Sequence, residues 1–215
     1  MKKIVILISG RGSNMEAIVR ALYAEKWPAS IAAVISNTEK AGGLAVAEQA
    51  GIRSEVIARS GFDSRESYDA ALAKAIDRYE PDLVVLAGFM QILTAGFVKH
   101  YEGRIVNIHP SLLPAFTGLH THERAIETGV RLHGATVHFV TPELDAGPII
   151  AQAVVPVLPD DTPDRLAARV LKQEHRLYPR VVRWFIEGRV RLEAGRVVLD
   201  DAINKPEEFL LAGDF

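Results

Sequence analysis

The chain has 215 residues, 48% of them apolar, enough to bury a sizeable core without covalent staples. It contains no cysteine, which excludes disulfides, thiolate nucleophiles and cysteine-based zinc or iron sites. A formal charge of −2, with both signs interspersed, gives no broad basic field for wrapping nucleic acid, so a small-molecule partner is expected.

Ile4 to Ile8 is an unbroken run of β-branched residues and leucine, the pattern of a parallel strand covered on both faces. It follows Met1-Lys2-Lys3, as a secretion signal would, but ends too early at Ser9-Gly10. No run approaches the ~18 apolar residues of a membrane helix, so a soluble, cytoplasmic protein is expected. From Met15 the apolar residues Met15, Ile18, Val19, Leu22 and Tyr23 recur at helical spacing, making the first unit strand, glycine loop, helix.

The cycle repeats with strands at Ile31–Ile35 and Ser54–Ile57 and helices at Gly43–Ala50 and Arg65–Tyr79, the last stopped by Pro81. Leu83–Ala87 is a fourth strand, Thr94–His100 a short helix and Arg104–Ile108 a fifth strand. A short helix near Thr121–Glu127 precedes strands at Thr136–Val140 and Ile149–Val157, which read as an antiparallel hairpin. Thr162 caps a long helix from Pro163 to about Gly188, and Arg189–Leu192 with Arg196–Leu199 form a small closing hairpin. The fold class is α/β, a mostly parallel open sheet with helices on both faces and an antiparallel C-terminal portion. No repeat or linker interrupts residues 1–215, and one domain is the simplest division.

In open α/β sheets ligands gather at the carboxyl ends of strands, so Gly10 to Asn14, Gly88 to Ile92 and Asn107 to His109 are expected to face one crevice. Gly10-Arg11-Gly12-Ser13-Asn14 lies between strand and helix, where backbone donors and the helix dipole favour a phosphate over a mere tight turn. It is neither a dinucleotide fingerprint, since Met15 fills the sixth position and Ser36-Asn37 end the second strand, nor a Walker loop.

Asn107-Ile108-His109-Pro110-Ser111-Leu112-Leu113-Pro114, read with Asp145, supplies an amide, an imidazole and a carboxylate on proline-stiffened connections. That set polarises a carbonyl and moves a proton beside it, which points to acyl chemistry. Taken singly, His109 is an ordinary core histidine, Asn107 a turn former and Asp145 a turn aspartate. Ser111 lacks the Gly-x-Ser-x-Gly elbow of a nucleophile and reads as a turn or cap residue. His120, His122, His133 and His138 match no zinc spacing, and no metal is expected.

Across almost its full length the chain resembles the phosphoribosylglycinamide formyltransferases, folate-dependent enzymes of purine synthesis with a Rossmann-like fold. The resemblance rests on Ile8-Ser9-Gly10 through Asn14, Ala87-Gly88-Phe89-Met90, Asn107 through Pro114, Gly118 through His122, Val137 through Val140, Asp145 through Ile150, and Gln173-Glu174-His175. Related methionyl-tRNA formyltransferases carry an extra C-terminal domain and formyltetrahydrofolate hydrolases an extra N-terminal one; the strand at the start of this chain and the short stretch after its last hairpin match neither.

The resemblance implies Asn107, His109 and Asp145 as catalytic residues, with Asp145 holding His109 charged. It implies Gly12, Ser13 and Asn14 on the phosphate of glycinamide ribonucleotide and Glu174 near its ribose. It further implies 10-formyltetrahydrofolate as formyl donor, its pterin against Met90, Ile92, Leu93, Phe97, Val98, Val140 and Leu144; for these residues ordinary core packing is the competing explanation. Where the family often has basic residues, this chain has Gln91 and Ala115, so grip on the folate glutamate tail or the phosphate is weaker or rearranged, with Arg65 the candidate substitute for the tail. The expected assembly is a monomer or homodimer, with a hydrolase or a non-catalytic phosphate-ligand binding module as the alternatives.

Overall fold

The computed structural model describes residues 1–200. One seven-stranded sheet runs in the order β3-β2-β1-β4-β5-β6-β7, and a separate two-stranded sheet pairs β8 with β9. The strands of the two sheets are β1 (Lys2–Ile8), β2 (Ala29–Ser36), β3 (Ser54–Val56), β4 (Leu83–Leu86), β5 (Ile105–His109), β6 (Leu132–Phe139), β7 (Ile149–Pro156), β8 (Val190–Glu193) and β9 (Arg196–Leu199). The helices are α1 (Ser13–Ala24), α2 (Gly43–Gln49), α3 (Arg65–Asp77), α4 (Ala95–His100), α5 (Thr121–Thr128) and α6 (Pro163–Ile186). The mostly parallel α/β reading therefore holds.

Contacts divide the chain into two compact units, residues 1–107 with 140–142, and residues 108–139 with the chain from 143 onward. No linker marks the division because it falls inside β5, a strand whose sequence reads like any other. In the first unit β1 pairs in parallel with β2 and β4, β2 with β3, and β4 with β5. Ile4 to Ile8 are fully buried, as an unalternated apolar run requires. Val5, Leu7, Ile35, Leu72, Leu86, Phe97 and Tyr101 belong to its core cluster. α3 begins with a reciprocal capping box between Ser64 and Ser67. A short 3-10 turn at Arg59–Gly61, which carries no periodic signal, precedes it.

In the second unit β6 and β7 pair antiparallel, with a register shift between Val137 and His138. β6 starts at Leu132, earlier than the sequence indicated, because His133 and Gly134 show no alternation yet pair with Val155 and Val154. α6 opens at Thr162, whose side chain accepts from the Arg165 amide at 3.3 Å, with Pro163 in the first turn. Leu166, Val170, Tyr178, Val181, Val182 and Ile186 form its buried stripe, and the helix packs on β6 and β7.

Candidate active site

In the first unit the expected loops stand at the carboxyl ends of adjacent strands. The Ser9 N–H, just past β1, donates to the Gly88 carbonyl just past β4 at 3.1 Å. Leu86 at the end of β4 is in register with Asn107 on β5. Gly12 is the N-cap of α1 at φ 79, and no side chain caps the helix. A Cβ at Gly12 would come within 2.8 Å of the Gly43 Cα, so both the left-handed backbone and the close approach require glycine. Gly43 in turn donates to the Gly10 carbonyl at 3.1 Å. Ser13 and Asn14 occupy the first turn of α1, where N–H groups have no intrahelical acceptor and the dipole favours an anion.

The apolar residues assigned to folate separate into two kinds. Leu93, Phe97 and Val98 are buried in the first unit's core, with Val140 packed against it. Met90 and Ile92 project into solvent, 66% and 56% exposed. Gln91 lies between them, its side chain donating to the Met90 carbonyl at 2.8 Å. Arg65 is exposed at the first position of α3.

In the second unit His109 is buried at the end of β5, and its Nδ1 lies 3.5 Å from Asp145 Oδ2, each side chain 8% exposed. Since a carbonyl only accepts, His109 Nε2 donates to the Phe116 carbonyl, 2.9 Å away. Asp145 Oδ2 also accepts the Gly118 N–H at 2.8 Å. Asp145 sits at φ 52, a sparsely populated conformation for a residue with a side chain. Two residues on, a Cβ at Gly147 would lie 1.7 Å from the Phe139 carbonyl oxygen, so only glycine lets the Asp145 turn close against β6. Leu144 beside it is 55% exposed, and Glu174 is 7% exposed on the packed face of α6.

Histidines surround this pair. Burial pushes the His133 imidazole down to about 4, helped by the charge of His122. The His122 and His138 imidazoles are lowered in the same direction, mainly by burial, with electrostatic interaction with His109 adding to both. The His122 and His133 rings meet edge to face at 5.2 Å. His120 is exposed and faces Glu123 at 3.2 Å. Among the described residues no group of three or more histidine, aspartate or glutamate side chains is arranged to hold a metal ion.

The formyl transferase family model matches residues 2–182. The chain belongs to the formyl transferase family. It is 52% identical to the phosphoribosylglycinamide formyltransferase of Escherichia coli over 96% of this chain and 97% of that one. The structure of the Coxiella burnetii phosphoribosylglycinamide formyltransferase superposes with a TM-score of 0.89, at 49% identity and 93% coverage of both chains. A Symbiobacterium toebii glycinamide ribonucleotide transformylase gives 0.90 at 45% identity, covering 94% of this chain and 95% of its own.

Sequence reasoning missed the groups that brace the turn after His109. Thr136 Oγ1, fully buried on β6, donates to the Ser111 carbonyl at 2.7 Å and accepts from the Leu113 amide at 3.0 Å. Gln152, its register partner on β7, donates to Thr136 Oγ1 and to the Leu113 carbonyl, each at 2.9 Å. Ser111 Oγ donates to the Ala115 carbonyl at 2.7 Å, so its hydroxyl serves the turn as expected. The Leu113–Pro114 bond is cis. A buried threonine opposite a glutamine in a hairpin was the signal available for the brace.

Proposed function

We propose that this formyl transferase moves the formyl group of 10-formyltetrahydrofolate to the amine of glycinamide ribonucleotide in purine biosynthesis, residues 1–215 acting as one catalytic domain. The observation that carries the reading is the His109–Asp145 pair at 3.5 Å, on a strand where Asn107 shares a face with His109 by two-residue alternation. Close relationship to phosphoribosylglycinamide formyltransferases over nearly the whole chain supports the same substrates.

The amine attacks the formyl carbon directly; no cysteine exists to carry an acyl group. Negative charge grows on the formyl oxygen, and Asn107 and His109 donate hydrogen bonds to it, each donor worth about 2.7–4 kcal/mol. Because Nε2 is committed to the Phe116 carbonyl, Nδ1 is the His109 nitrogen left for that oxygen. Nδ1 also faces Asp145, so its one N–H is shared between that carboxylate and the formyl oxygen. Asp145 receives the attacking amine's proton, directly or through water. The carbon–nitrogen bond to the folate then breaks as that nitrogen recovers a proton. Gly12, Ser13 and Asn14 hold the ribonucleotide phosphate and Glu174 approaches its ribose. Met90, Gln91, Ile92, Leu93, Phe97, Val98, Val140 and Leu144 receive the folate, with Arg65 near its tail.

The chemistry needs no metal, and the reading carries no nucleic-acid or membrane partner. No described helix is long and apolar enough to cross a membrane; we place the enzyme in the cytoplasm as a monomer or homodimer. The test is absorbance-monitored conversion of 10-formyltetrahydrofolate to tetrahydrofolate, with and without glycinamide ribonucleotide, with assay of free formate. Ribonucleotide-dependent turnover without formate is expected. Ribonucleotide-independent formate release would make the protein a hydrolase, and no turnover a binding module.

A further inference from the structure

Residues 88–94 connect β4 to α4 without helix or strand. Phe89 and Leu93 are buried at 9% and 8% exposure, while Met90 and Ile92 between them stand in water. An irregular stretch that shows two large apolar side chains to solvent does not fix its own backbone, since no ladder of hydrogen bonds orders it. Two side chains from elsewhere in the first unit grip it instead. At the start, the Met90 amide donates to Ser9 Oγ at 2.7 Å, and Ser9 is itself tied to the Gly88 carbonyl. At the end, the Thr94 amide donates to Asp69 Oδ2 at 2.6 Å. Thr94 is the residue at which the stretch becomes helix, its hydroxyl accepting from the Phe97 amide at 3.3 Å.

Asp69 is an expensive way to hold one amide. It sits inside α3, is 3% exposed, and its Oδ1 accepts no hydrogen bond from the described residues. Burying a carboxylate for a single backbone donor costs more than a neutral acceptor would. What it supplies is a short, charge-assisted bond at the last residue before α4. Ser9, which holds the other end of the stretch, directly precedes the glycine loop in sequence.

We propose that Ser9 and Asp69 are positioning residues for the formyl donor, fixing the two ends of 88–94 so that Met90 and Ile92 are presented preformed to the folate. The proposal rests on the assignment of Met90 and Ile92 to the folate pocket. Neither side chain touches a reacting atom, so their effect falls on donor binding rather than on the chemical step.

The experiment measures KM for each substrate and kcat in Ser9→Ala, Asp69→Ala, Asp69→Asn and Ile92→Asp, with amide hydrogen exchange over 88–94. Ser9→Ala and Asp69→Ala are expected to raise the donor KM about tenfold, leave the ribonucleotide KM unchanged and keep kcat within about twofold. Exchange at the Met90 amide should quicken in the first and at the Thr94 amide in the second. Asp69→Asn keeps an acceptor and restores most of the donor affinity. Equal loss in both substrates, or unchanged donor KM despite faster exchange, would overturn the proposal. If Ile92→Asp itself left the donor KM unaltered, the pocket assignment would fall instead. Ser9→Ala removes only a hydroxyl and carries the same test if Asp69→Ala does not fold.

Discussion

The two units shape their candidate loops by different means. In the first, the glycine loop takes its shape from the backbone itself, through a left-handed Gly12 at the start of α1 and a close Gly12–Gly43 approach, while 88–94 is held at its ends by Ser9 and Asp69. In the second, the His109 turn and the Asp145 turn are irregular, and distant side chains hold them. Thr136 grips Ser111 and Leu113, 25 and 23 positions away in sequence, and Asp145 accepts from Gly118, 27 positions away. The glycine loop thus comes from backbone geometry, and the His109–Asp145 pair, like 88–94, from side chains that satisfy backbone groups far along the chain.

The sharpest way to break this contrast is at the chemistry. Asn107→Ala and Asp145→Asn should each cost about 10²–10³ in kcat while the protein stays folded, because each removes a partner of the developing charge. Near wild-type turnover in both, measured at saturating substrates, would end the assignment. Next comes the brace. Thr136→Val leaves the buried Leu113 amide and the Gln152 side chain without their shared hydroxyl, and should destabilise the protein by about 3 kcal/mol in chemical denaturation. Wild-type stability there would show that the second unit does not depend on long-range polar contacts.

Gly12→Ala tests the opposite claim for the first unit. It should cost about 1–2 kcal/mol of backbone strain, beyond displacing Gly43, and raise the KM for the ribonucleotide rather than for the folate. A smaller effect is expected from pH. His133 titrates near 4 when folded and near 6.5 when unfolded, so between those values the unfolded state binds more protons. The stability present above pH 6.5 is lost as pH falls toward 4, by about 1 kcal/mol at pH 5.5. Comparison of melting at pH 7.5 and 5.5 should show a shallower decline in His133→Phe. The smallest change is Gln91→Arg, which restores a charge common in the family. It should lower the KM for a polyglutamylated donor by up to about fivefold, as an exposed pair is worth about 0.2–1 kcal/mol.

The sequence by itself determined the alternation of strands and helices and the mostly parallel sheet. Unalternated apolar runs, helical spacing and proline or glycine stops are local signals, and Ile4–Ile8, α3 and α6 follow from them to within a few residues. It also singled out His109 and Asp145 as candidates by residue type and setting, and the structure brings the two side chains within 3.5 Å. Tertiary structure alone decided which acceptor each His109 nitrogen faces, since Phe116 takes Nε2 from seven residues away in an irregular turn and Asp145 lies by Nδ1. It alone separated solvent-facing Met90 and Ile92 from core Leu93, Phe97 and Val98, since apolar residues look alike until packing sorts them. Thr136, Gln152, Ser9 and Asp69 stayed hidden for a related reason. Each satisfies a backbone group far along the chain, and no periodicity records which distant amide a buried hydroxyl or carboxylate will meet.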